Sequence, residues 1–150
     1  SVYHQPNWQP LDEKAFKKQV GEFISQNKSW VIDGNYSMVQ PLIWNQASQV
    51  LWLDFPRRKS ISRLILRTIR RGLFRKELWN GNREDPFQIF RLKPENNVVL
   101  WAWKRHSFYK QFYLDASTDE QWSHLQFHRL QSQQDIDFWI DKFHHRTYNQ

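Results

Sequence analysis

Two acids stand where short apolar runs stop. Asp33 closes Trp30-Val31-Ile32, and Asp54 closes Val50-Leu51-Trp52-Leu53. In open parallel sheets ligands bind beyond the carboxyl ends of the strands. A carboxylate there can hold Mg²⁺ directly or through water, or accept the proton of an attacking hydroxyl. The same residues read equally well as turn formers. Asp33 precedes Gly34-Asn35 and Asp54 precedes Phe55-Pro56, and Asp bonds locally to backbone N–H groups at turns and helix starts.

A second group is basic. Arg63, Arg67, Arg70, Arg71 and Arg75 crowd one stretch together with an apolar stripe of Ile61, Leu64, Ile65, Ile69 and Leu73. Guanidinium groups are permanently charged and bind phosphate oxygens in pairs, as a phosphoryl-transfer site requires. A solvated helix face is the other reading, but like charges four apart repel by about 0.2–0.5 kcal/mol per pair, so such a face invites an anion. A third group is Glu77-Leu78-Trp79-Asn80-Gly81-Asn82-Arg83-Glu84, followed by Trp101, Trp103, Arg105 and Tyr109. Arg83 and Arg105 would meet a phosphate if this loop closed as a lid; the tryptophans read as core and rim. The histidines, including His124 and His128, lack a carboxylate or Cys at ligand spacing and read as surface residues.

The elements that must position these groups follow from periodicity. Residues 10 to 28 place Phe16, Val20, Phe23 and Ile24 on one helical face, with Pro10 as the first helical residue. Trp30–Ile32 reads as a strand, 38 to 45 as a short helix, Val50–Leu53 as a strand buried on both faces, and 57 to 76 as the arginine helix. Residues 77 to 94 lack periodicity and read as a loop. A helix over 95 to 114, a strand through Leu125, Phe127 and Leu130, and a helix begun by the Ser132/Asp135 capping box complete the chain. Strands alternating with helices predict an α/β domain with a parallel sheet.

The 150 residues are the size of one domain, so 1–150 is expected to fold as a single unit. Cysteine is absent, which excludes disulfides and thiolate chemistry and fits a cytoplasmic setting. No apolar run is long enough to span a bilayer, so no membrane partner is expected. The net charge of +7 favours anionic partners, whether nucleotide phosphates or nucleic acid.

Taken together, Gln5-Pro6-Asn7-Trp8, Trp30-Val31-Ile32-Asp33-Gly34-Asn35-Tyr36, Leu51-Trp52-Leu53-Asp54-Phe55-Pro56-Arg57, Glu77-Leu78-Trp79-Asn80-Gly81-Asn82-Arg83 and Leu100-Trp101-Ala102-Trp103 resemble the adenylate-kinase-like P-loop proteins labelled topology modulation proteins. The resemblance spans almost the whole chain. It implies a three-layer P-loop NTPase of the nucleotide-kinase type, with a lid at about 77–97. It further implies ATP and Mg²⁺ as cofactors, and a small acceptor of unknown identity. By this likeness Asp33 and Asp54 line the metal side, and both join Arg83 and Arg105 as catalytic candidates. Arg67, Arg70, Arg71 and Arg75 are candidates for holding the nucleotide. The sequence departs from the pattern in two places. Asn35-Tyr36-Ser37 stands where nucleotide kinases carry an Arg for the acceptor monophosphate, and no G-x-x-x-x-G-K-[ST] loop occurs. The absent first strand would lie at the sheet centre, between Trp30–Asp33 and Val50–Asp54. The gap is expected to be closed by direct pairing of those strands, by a second copy, or by a segment outside this chain, and without the loop the chain alone is expected to be inactive. The alternative function is a non-enzymatic nucleic-acid binder that uses the arginine helix.

Overall fold

The computed structural model describes residues 11–73 and 97–148. The proposed lid, with Arg75 and Arg83, and the Gln5–Trp8 motif lie outside them. In order the elements are α1 (Glu13–Gln26), α2 (Gln40–Trp44), β1 (Gln49–Leu53), α3 (Arg57–Leu73), α4 (Val98–Thr118), a 3₁₀ turn (Glu120–Trp122), β2 (Gln126–Leu130) and α5 (Gln133–Tyr148). The α/β expectation holds at this level: β1 and β2 pair in parallel, Trp52 opposite Arg129 and Leu53 opposite Leu130, with α3 and α4 in the crossover.

α1 starts at Glu13 because Asp12 takes the N-cap, its carboxylate accepting from the backbone N–H of Lys14 at 3.1 Å and Ala15 at 3.2 Å. Phe16, Val20 and Ile24 bury one face against Val39, and Trp30, Ile32 and Tyr36 pack on this cluster. The expected strand at Trp30–Ile32 does not form. Its residues keep a strand-like alternation, Trp30 and Ile32 turned inward and Val31 90% exposed, but no described strand lies beside them to complete a ladder. The two segments expected to flank a central strand therefore do not pair with each other.

The second core is aromatic. Val50 and Phe127 turn to one face of the sheet and meet Trp44, Phe112, Tyr113, Ala116 and Trp122. On the other face α5 reaches β2 through Trp139 against His128, 5.9 Å between centroids, and leaves Leu51 and Leu53 of β1 exposed. α4 runs past its expected end at 114 to Thr118; buried Asn97 caps its start by accepting from Val99 and Leu100 N–H at 3.0 Å, and Asp119 ends it. Apolar residues surround α4, so Trp101, Trp103 and Phe108 remain at the surface. Among the described residues no helix is long and apolar enough to cross a membrane.

α5 begins in the expected capping box. Asp135 Oδ2 accepts from Gln131 N–H at 2.7 Å and Ser132 N–H at 2.8 Å, and Ser132 Oγ accepts from Asp135 N–H at 3.1 Å. The Gln131 amide first, then the Ser132 amide and hydroxyl, hold the Asp135 carboxyl below its ordinary pKa. A depressed folded-state pKa means stabilisation that is complete above the unfolded value and lost as pH falls through the folded one. Asp135→Ala is thus expected to be less stable than the parent at neutral pH, and urea titrations should show the gap closing at acid pH, below the usual carboxylate range.

Candidate functional site

β1 ends at Leu53, and Asp54 N–H continues the ladder to Leu130 O at 2.9 Å before Phe55-Pro56 turns the chain into α3. The Asp54 side chain is almost wholly buried, 4% exposed. Its Oδ2 accepts from Arg129 Nε at 2.8 Å and Nη2 at 2.5 Å, and from Gln131 Nε2 at 3.3 Å. The parallel register makes this pair: Arg129 sits opposite Trp52, lays its guanidinium over that ring at 4.8 Å, and so reaches the acid two residues on. Asp54 is therefore charge-compensated before any ligand arrives.

Beyond this strand end lies a cleft of about 450 Å³ between α3 and α4. Arg63 and Arg67 line it from α3, and Arg105 and Lys110 from α4; Trp52, Trp101 and Tyr109 supply rings, and among the described residues Asp54 is the one acid in its wall. Among the described residues none of these four cations makes an ion pair. Arg63 rests over the Phe55 ring at 4.7 Å and Arg105 over Phe108 at 5.3 Å. His106 Nε2 donates to Phe55 O at 3.1 Å, fastening α4 to the start of α3. With the Asp54 carboxylate already neutralised, the described wall of the cleft presents net positive charge beside aromatic faces, which suits an anion attached to a planar group.

The Asp33–Tyr36 loop meets the same cleft through Asn35. Tyr113 donates from its hydroxyl to Asn35 Oδ1 at 2.8 Å while its ring stacks on Trp52 at 5.5 Å. Burial, then the neighbouring Tyr109, pushes the Tyr113 phenol above its ordinary pKa, which keeps it a donor. Asp33 is exposed, two residues from Asn35, and is not part of the cleft wall. Gly34 turns the loop at φ 140°, and a Cβ there would overlap the Tyr36 ring, which itself packs edge-on against Phe16 at 5.3 Å. Gly34→Ala combines backbone strain with displacement of Tyr36, and is expected to cost about 1–3 kcal/mol, measured by urea denaturation.

Of the residues singled out from the sequence, Asp54, Arg67 and Arg105 come together in the cleft; Arg70 and Arg71 lie on α3 but do not line it, and Arg75 and Arg83 fall outside the described residues. Among the described residues no three His, Asp or Glu side chains gather as a metal site would need. Sequence reasoning missed Lys110, Tyr113 and Arg129. Arg63 was visible as the residue one helical turn before Arg67. Arg129 was hidden because its partner depends on strand register. A larger groove of about 720 Å³ runs between β2 and α5. Phe127, Phe138, Trp139 and Phe143 wall much of it, and of its cations Arg129 is already paired with Asp54, so the smaller cleft with four cations is the better candidate. No protein family, no curated protein and no solved structure matches the chain.

Proposed function

We propose that this chain is the C-terminal part of a P-loop nucleotide-binding, kinase-like protein whose intact form binds ATP–Mg²⁺ and transfers a phosphoryl group to a small acceptor. The observation that carries this reading is the convergence of Arg63, Arg67, Arg105 and Lys110 on the cleft at the carboxyl end of β1. Phosphoryl transfer needs little covalent help from protein and much charge neutralisation around the moving group. Four cations without carboxylate partners can supply that. In this reading the finer fold is the three-layer P-loop arrangement, and the edge of β1 away from β2, which no described strand pairs, is where the phosphate-cradling strand belongs.

The cleft residues fit phosphate oxygens but do not by themselves fit magnesium. Asp54 gives one oxygen to Arg129 and Gln131, and among the described residues no second carboxylate lines the cleft. Its role here is to hold Arg129 and the strand end in place, while the triphosphate and its metal rely on a glycine-rich loop that these 150 residues do not contain. The test compares two forms. The 150-residue chain is expected to show no ATP turnover, and a form extended by the coding sequence ahead of Ser1 is expected to bind ATP with magnesium. Failure of the extended form to bind any nucleotide overturns the reading.

A further inference from the structure

Helical spacing sets three side chains of α4 in one stripe: Trp101, Arg105 and Phe108, at i, i+4 and i+7. All are exposed, Trp101 at 43% and Phe108 at 54%. Arg105 lies between the rings and over the second of them, 5.3 Å from its centroid. Burying two large rings would stabilise the fold; here they stand in solvent with a cation between them, Trp101 and Arg105 lining a cleft whose opposite wall carries Arg63 and Arg67, and Phe108 lying just outside its rim beneath the Arg105 guanidinium. Seven residues of helix separate Trp101 and Phe108 by about 10 Å along the axis, too far for one base to cover both. Along α3 every charged side chain from Arg57 to Leu73 is basic, so a second stretch of anion can follow that helix.

We propose that this stripe and the facing arginines bind single-stranded nucleic acid, with at least two bases stacked on Trp101 and Phe108 and the connecting phosphates held by Arg63, Arg67 and Arg105. Rings that accept any base and guanidiniums that track the backbone are how single strands are held without sequence reading. A duplex hides its base faces, and an anionic membrane offers no rings to stack. The inference stands on the cleft's surface and not on phosphoryl transfer, so the two fail separately.

The test uses the 150-residue chain and a fluorescein-labelled oligothymidylate of about twelve nucleotides, followed by anisotropy. Binding is expected at low salt, with a log–log salt slope near −2 if about three phosphates are neutralised at roughly −0.7 each. Trp101→Ala and Phe108→Ala are each expected to weaken binding about tenfold, and Trp101→Phe to retain most of it. Both side chains are half in solvent, so each variant is expected to fold, which circular dichroism checks. Arg63→Ala/Arg67→Ala should flatten the salt slope. The proposal is overturned if the oligonucleotide does not bind at low salt, if both alanine variants bind as the parent does, or if a duplex of equal length or phosphatidylserine vesicles bind as tightly as the single strand.

Discussion

Trp44→Ala is expected to remove about 3–5 kcal/mol of folding stability, the range for deleting a buried tryptophan, and that is a large share of the ~5–15 kcal/mol margin of an ordinary domain. Trp44 is 6% exposed and holds the aromatic core together. Its ring meets Trp122 and Phe127 edge-on, at 5.1 and 5.5 Å between centroids, and Phe112 and Tyr113 at a tilt, both at 5.9 Å. These contacts join α2 to α4, to the 3₁₀ turn and to β2, so no single neighbour can collapse into the space left behind. His124 Nε2 donates to the Trp44 carbonyl at 3.0 Å, which survives the substitution in principle but ties a backbone whose side chain no longer packs. Since Trp52 and Tyr113 form the floor under Asn35, loosening this core should also release the cleft. Urea denaturation followed by circular dichroism measures the loss. Phe23→Ala, at a residue 45% exposed, is the control and should cost far less. A loss below about 1 kcal/mol for Trp44→Ala would contradict the assigned core.

Arg129→Ala is expected to cost about 2–4 kcal/mol. Removing one partner of a fully buried ion pair typically costs about 3–5 kcal/mol because the other charge is stranded. The figure is lowered here because the Arg129 side chain is 36% exposed, whereas that of Asp54 is 4% exposed. Two nitrogens of the guanidinium converge on Asp54 Oδ2, and its plane covers Trp52, so lysine is not expected to rescue the site. The double variant Asp54→Ala/Arg129→Ala should lose less than the sum of the two single losses, since it leaves no unpaired charge. Additive losses in that cycle would mean that the pair contributes nothing as a pair.

How much of this was legible in the sequence depended on the range of the forces involved. α1, α3 and α5 follow from helical spacing, and α5 also from its Ser132 cap, which are local; the start of α1 at Glu13, expected at Pro10, was set by the Asp12 cap. β1 follows from a short apolar run that a turn cuts off, and β2 from the spacing of Leu125, Phe127 and Leu130. The strand expected at Trp30–Ile32 did not form because a ladder needs a neighbour, and an apolar run carries no information about whether one is present. In the cleft, Asp54, Arg67 and Arg105 could be named from strand-end and helix-spacing rules. The compensation of Asp54 by Arg129 could not, because it depends on placing position 54 beside position 129 across the whole crossover. Asp33 was read as an equal of Asp54, yet Asn35 is the residue of its loop that Tyr113 draws to the cleft. That bond links two residues far apart in the chain and leaves no periodic trace.

If the α3–α4 cleft at the end of β1 binds phosphate, titration with tripolyphosphate at low salt should move the backbone and arginine side-chain NMR signals of its walls. Saturable changes are expected, centred on Arg63, Arg67, Arg105 and Asn35, and abolished in Arg63→Ala/Arg67→Ala. Changes confined to the β2–α5 groove, or no change at any concentration, would contradict it.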